Sequence, residues 1–176
     1  MRAAGLALAA GLAGLGGCAS APVDGAAPGS ATANAAAQAK IALLLDGFHR
    51  AAARADGEAY FGTFAPGGVF IGTDAGERWD LTAFRAYAAP YFSQGKGWTY
   101  LPRSRSVVLG PDGRTAWFDE LLDSQNYGTS RGTGVLVRRP EGWRVAQYAL
   151  SFPIPNGIAK ELTARIKAHE ARPAAR

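Results

Sequence analysis

Asp119 and Glu120 stand side by side in "RTAWFDELLDS", a stretch whose β-branched, aromatic and aliphatic content predicts a strand. Neighbours on a strand point to opposite faces, so only one of the two carboxylates can enter an interior cavity and act there as an acid or base. The "PDG" turn ahead of this strand would pair it with "WTYLPRSRSVVLG" and set Asp119 near Arg105, which points to a structural ion pair. Which face lies inside stays open, so both carboxylates remain candidates. Arg131 could grip a ligand carboxylate through two parallel hydrogen bonds if buried; at the mouth of a hairpin it would simply be solvated. Gln147 can orient a ligand by hydrogen bonds but does not titrate. The aromatic set Trp79, Tyr91, Trp98, Tyr100, Trp117 and Tyr148 would make an apolar pocket with a few polar tips, suited to a hydrophobic or ring-containing molecule. For each of these six taken singly, core packing is the competing role.

Other chemistries find no support in the chain. His49 and His169 have no Cys, His or carboxylate cluster at metal-ligand spacing, and no Ser-His-Asp set can be built on them. His49 is expected at the surface or edge of a helix. "GTGVLV" lies within a strand and no helix follows, so it is not a dinucleotide loop. No metal and no organic cofactor is expected.

The elements that must carry these groups come in two blocks. Ile41, Leu44, Leu45, Phe48 and Ala52 recur at helical spacing and predict a first helix over 36–54. Asp56 reads as the cap of a short helix, "GEAYFGTFA", and a brief strand follows around Val69, Phe70 and Ile71. Asp80 caps a third helix through "LTAFRAYAA", which Pro90 should help to end. Four strands then alternate with the turn signals "PDG", "QNYG" and "PEG", so they pair as antiparallel neighbours. Ile158, Leu162 and Ile166 predict a last amphipathic helix packed on the sheet. Helices first and strands after give an α+β fold, a curved antiparallel sheet against N-terminal helices with a C-terminal helix. Trp117 and Leu121 alternate with Phe118 and Leu122, so both sheet faces carry large apolar groups; one is expected to meet the helices around a cavity and the other a second subunit.

Outside the folded block, "MRAAGLALAAGLAGLGGCAS" has one cation, an apolar run too short to span a bilayer and small residues before a cysteine, the layout of an export signal. Leu15-Gly16-Gly17-Cys18 resembles the lipobox of bacterial lipoproteins, which implies cleavage after residue 17 and lipidation of Cys18. Two or three acyl chains would hold the protein firmly on a membrane. Residues 18–35 hold small residues and two prolines without an aromatic group, the composition of a flexible tether. The chain thus divides into a leader (1–17), a tether (18–35), a domain (36–156) and a helical tail (157–176). The expected location is the cell envelope, facing the periplasm or the cell surface. The net charge of +5 falls to +4 once Arg2 leaves with the leader, and the basic residues are dispersed. A nucleic-acid partner is therefore not expected, while anionic headgroups near the anchor would be compatible.

The order of elements, with "VFIGTDAGERWDLTAFRAYAAPYF", "GWTY", "DGRTAWFDELLDS" and "RGTGVLVRRPEGWRVAQYALSFPIPN", resembles the SnoaL-like branch of the nuclear transport factor 2-like superfamily. That resemblance implies a cone-shaped pocket between helices and concave sheet, and dimers through the outer sheet face. It also implies that histidines common in relatives fall at Gln147 and Ala149, in a row with Arg131, Thr133, Val135 and Val145 that often faces the cavity. A ketosteroid-isomerase-like base would fall near Gly72 or Thr73, with Asp74 one step beyond, although "GTDAGE" also reads as an ordinary polar loop. The superfamily mixes enzymes with binders, so fold does not settle activity. The expectation is a lipid-anchored, dimeric domain binding a small hydrophobic ligand or a protein partner without catalysis. The enzymatic alternative is a cofactor-free isomerase, cyclase or hydrolase using Asp119, Glu120 or Asp74. A third possibility is an envelope interaction module whose cavity is filled.

Overall fold

The computed structural model describes residues 28–172. The expectations for the leader and Cys18 fall outside the described residues. Helix α1 (Pro28–Ala53) starts eight residues earlier than its apolar spacing indicates. Its opening turns, 31–36, are exposed, so the described end of the stretch that composition marks as a tether is helical; the rest of that stretch, 18–27, lies outside the described residues. Farther along, Ile41, Leu45, Phe48 and Ala52 are buried on one face. Asp56 caps α2 (Gly57–Gly62) by accepting from the Ala59 N–H at 3.0 Å, and Asp80 caps α3 (Leu81–Phe92) by accepting from Ala83 N–H at 2.8 Å. Pro90 does not end α3, which runs one further half-turn to Phe92 before Ser93 closes it.

Six strands form one sheet in the order β2-β1-β6-β5-β4-β3. They are β1 (Phe64–Ile71), β2 (Arg78–Asp80), β3 (Tyr100–Leu109), β4 (Thr115–Ser124), β5 (Gly128–Arg139) and β6 (Gly142–Ser151). The meander from β3 to β6 is antiparallel, while β1 joins β6 in parallel. Asp112 organises the first turn by accepting from the backbone N–H groups of Arg114 and Thr115 and from the Thr115 hydroxyl. Gly113, Gly128 and Gly142 take the positive φ angles that the three turns demand.

Inner-face side chains from β1, β4 and β6 meet α1, α2 and α3 in a core that is largely aromatic. Phe70 stacks on Phe84 with centroids 4.1 Å apart and on Tyr148 at 5.7 Å, and Phe48 stacks on Tyr60 at 4.6 Å. Gly97 presses against the end of α1, where a Cβ would strike the Ala52 and Ala53 carbonyl oxygens; this contact sets Trp98 against Phe92 at 4.7 Å. Helix α4 (Asn156–Glu170) forms where expected but does not pack on the sheet. It buries no residue, and Ile158, Leu162 and Ile166 are exposed. No described helix is long and apolar enough to cross a membrane.

Candidate functional site

β4 decides the central question of facing. Ala116, Phe118, Glu120 and Leu122 point inward and are buried, whereas Trp117 and Asp119 are exposed on the outer face. The register pairs Arg105 with Glu120 and Ser106 with Asp119, so the expected ion pair of Arg105 with Asp119 is corrected to one with Glu120.

Glu120 is the hub of a buried polar cluster. Oε1 accepts from His49 Nε2 at 2.7 Å and from the Tyr148 hydroxyl at 3.0 Å; Oε2 accepts from Arg105 Nε at 2.8 Å. Arg105 also donates through Nη1 to Asp46 Oδ1 at 2.8 Å and to the Ala42 carbonyl at 3.1 Å, which ties β3 to α1. Asp46 and His49 are one helical turn apart on α1, so a single helix face meets two strands at this cluster. Burial opposes ionisation of Glu120, but the contacts with His49 and Arg105 outweigh it and hold the carboxyl below its ordinary value. An ionised carboxylate only accepts, so Nε2 of His49 carries a proton. Burial and the adjacent Glu120 push the Tyr148 phenol well above its usual range, so it stays protonated and donating. The expectation of His49 on a helix surface is thus corrected: the ring is buried, and a carboxylate fixes it.

The sequence held a sign of this cluster in the alternating glycines of "RGTGV". A Cβ on Gly132 would collide with the Tyr148 hydroxyl and come 2.9 Å from Glu120 Oε1; one on Gly134 would strike the Phe118 ring. Glycine inside a strand marks such a close approach.

A cavity of about 440 Å³ opens between helices and sheet. His49, Phe48 and Tyr148 line it at the cluster, and Phe70, Trp79, Phe84 and Trp98 form walls. Tyr91, Tyr127 and Phe152 line the same cavity while remaining partly exposed, which puts them at its rim. Of the residues singled out from sequence, Trp79, Tyr91 and Trp98 line this space together with Tyr100 and Tyr148. Trp117 does not, being 47 % exposed on the outer sheet face. Glu120 is buried behind His49 and Tyr148, fully engaged.

The row containing Arg131 and Gln147 lies on the outer face. An extra residue, Ala146, interrupts the β5 and β6 register between Leu136↔Val145 and Val135↔Gln147. Val145 therefore faces the core while Gln147 and Ala149 face away from it, and the row expected to share one side is split. Arg131, paired with Ser151, is exposed on that outer side. Asp74 sits in the exposed β1–β2 loop, where its carboxylate accepts from the Gly76 N–H at 2.8 Å, the work of a turn residue. Gly72 and Thr73, where the resemblance put the base, do line the cavity but carry no carboxylate; Glu77 of the same loop lines it too and did not stand out in the sequence.

Among the described residues no cluster of three or more His, Cys, Asp or Glu could hold a metal ion. The curved sheet closed on helices around a cavity defines the nuclear transport factor 2-like class. The SnoaL-like domain family matches residues 41–155, and the chain belongs to that family. Solved structures share the fold. An NTF2-like protein of unknown function from Pseudomonas putida superposes with a TM-score of 0.59 at 18% identity, over 69% of this chain and 90% of that one. A protein of unknown function from Mycobacterium tuberculosis gives 0.58 at 18%, covering 82% and 92%. An NTF2-like protein with a cystatin-like fold from Novosphingobium aromaticivorans gives 0.57 at 15%, covering 81% and 98%. No curated protein matches the chain.

Proposed function

We propose that the domain binds a small, ring-containing and mainly apolar molecule in the cavity between its helices and sheet. The observation that carries this reading is the distribution of polarity. Aromatic rings from seven elements and three connecting segments line about 440 Å³, and the titratable cluster at its inner end is already paired within the protein. His49 and Tyr148 supply polar edges that would orient a ligand. Gentle purification of the exported protein followed by native mass spectrometry tests this: one discrete added mass per chain is expected, and a clean chain mass counts against a resident ligand.

A second reading has a specific observation behind it. Anchoring Nε2 to Glu120 fixes the His49 ring, the arrangement that prepares the opposite nitrogen to exchange a proton with a bound substrate. In that cofactor-free isomerase, cyclase or hydrolase, His49 replaces Asp119, Glu120 and Asp74 as the acid-base group. Glu120 would position it, and the Tyr148 hydroxyl, donating to the same carboxylate, would help to hold Glu120 in place. A clean mass together with turnover that His49→Gln abolishes would favour this role.

We also propose that lipidated Cys18 tethers the domain to a membrane of the cell envelope and that two copies join through the outer sheet face. Support for the pairing comes from Leu101, Val108 and Trp117, which leave large apolar side chains exposed on β3 and β4. Incorporation of labelled fatty acid into the wild type and not into Cys18→Ala is the expected result for the anchor.

A further inference from the structure

The rim of the cavity has a chemistry distinct from its walls. Tyr87 packs on Trp79 with centroids 4.7 Å apart and lies 5.8 Å from Tyr91, while Tyr127 meets Phe152 at 4.9 Å across the opening. Tyr87, Tyr91 and Tyr127 are 43 %, 47 % and 64 % exposed, so their rings are available to an incoming molecule. Glu77 lines the same space, and its carboxylate accepts only a 3.2 Å bond from the Asp74 N–H, with no ion pair among the described residues. Burial raises the Tyr87 phenol, and the neighbouring Glu77, Tyr91 and Tyr127 push it further the same way. Tyr100 is likewise raised by burial first, with Tyr127, Tyr87 and Glu77 adding to it. Glu77, Tyr87, Tyr91, Tyr100 and Tyr127 all line the one cavity.

Charge makes the arrangement selective. The chain carries a net +5, yet among the described residues no lysine or arginine lines this cavity, and its histidine is paired with Glu120. Aromatic faces with one unpaired carboxylate attract a cation and repel an anion. A quaternary or alkylated ammonium is weakly hydrated and gives up little on entering such a ring of aromatics, whereas a bare ammonium gives up more.

We propose that the rim formed by Tyr87, Tyr91, Tyr100, Tyr127 and Glu77 selects an organic cation, a quaternary or tertiary ammonium carried on an apolar or ring-containing body. The cation sits at the rim and the body extends between Phe84 and Tyr148. This rests on the reading of the cavity as a ligand site and names the class of ligand.

The test uses the full chain as Cys18→Ala, with displacement of the neutral fluorophore N-phenyl-1-naphthylamine as the readout. Competitors are benzyltrimethylammonium, its uncharged carbon isostere neopentylbenzene and the anion phenylmethanesulfonate. Benzyltrimethylammonium is expected to compete about tenfold or more better than either. Glu77→Gln and Tyr127→Leu should each shrink that ratio several-fold; Tyr127 is exposed enough that its loss leaves the fold alone. Phosphocholine separates the sources of such a cation: strong competition assigns it to a lipid headgroup, weak competition to a free ammonium. If the fluorophore binds saturably and the isostere competes as well as the cation, the cation proposal is overturned and the pocket stands. If the fluorophore does not bind saturably at all, both fall.

Discussion

Glu120 illustrates how one side chain can be central without being reactive. Three donors converge on its two oxygens, and each comes from a different element, α1, β3 or β6. A glutamine there keeps one acceptor oxygen but turns an amide NH2 toward either Arg105 or the His49 and Tyr148 donors, and it removes the charge that offsets the buried guanidinium. Glu120→Gln is expected to destabilise the fold by about 3–5 kcal/mol, measured by urea denaturation at pH 7. The pH dependence follows from the direction of the shift. A carboxyl whose folded-state value is lowered contributes stability that is complete above its unfolded value, near 4.5, and is lost as pH falls through the lower folded value. The wild type should therefore lose stability on acidification below about pH 4.5, and Glu120→Gln should lack that component of the titration. Equal slopes in the two proteins would contradict the ionised hub. Gly132→Ala tests the same cluster from the backbone side: its Cβ would force Tyr148 and Glu120 apart, at a cost of about 1–3 kcal/mol by thermal melting.

At the level of elements, the sequence was most informative where a local rule has a local cause. Capping aspartates at 56 and 80 placed two helix starts, and the turn glycines placed the hairpins, because each acts within a few residues of itself. The apolar stripe of α1 was legible for the same reason. Facing on the sheet was not, because strand parity needs every residue counted and Ala146 inserts one extra. That single bulge separates Val145 from Gln147 and sends Gln147 and Ala149 to the outer face, beside Arg131, which faces outward by the parity of β5 itself. His49 was missed because a lone histidine on an amphipathic helix carries no mark of a partner 71 residues away. The alternating glycines of β5 were the available clue. Helix α4 gives the converse lesson: its stripe at four-residue steps predicts packing, yet nothing in the described chain covers it. Truncation after Pro155 is accordingly expected to shift the melting temperature by less than about 2 °C, within the range of surface changes. A loss of cooperative unfolding would show that α4 carries part of the core.

For the molecule as a whole, two apolar surfaces compete for attention, the cavity and the outer sheet face. They lie on opposite sides of the sheet, so their roles separate by mutation. Trp117→Glu is expected to shift a dimer toward monomer in sedimentation at micromolar concentration while leaving thermal stability of the monomer within about 0.5 kcal/mol. An unchanged sedimentation coefficient would remove the outer face as the pairing surface.

The central claim is that the cavity, and not the outer face, is where a small molecule binds. Titration of the full chain as Cys18→Ala with N-phenyl-1-naphthylamine tests it most directly. Saturation at one molecule per chain is expected, weakened about tenfold by Leu150→Arg, which sets a guanidinium into the cavity wall, and unaffected by Trp117→Glu on the other side. Fluorophore binding that Trp117→Glu abolishes and Leu150→Arg spares would contradict the account.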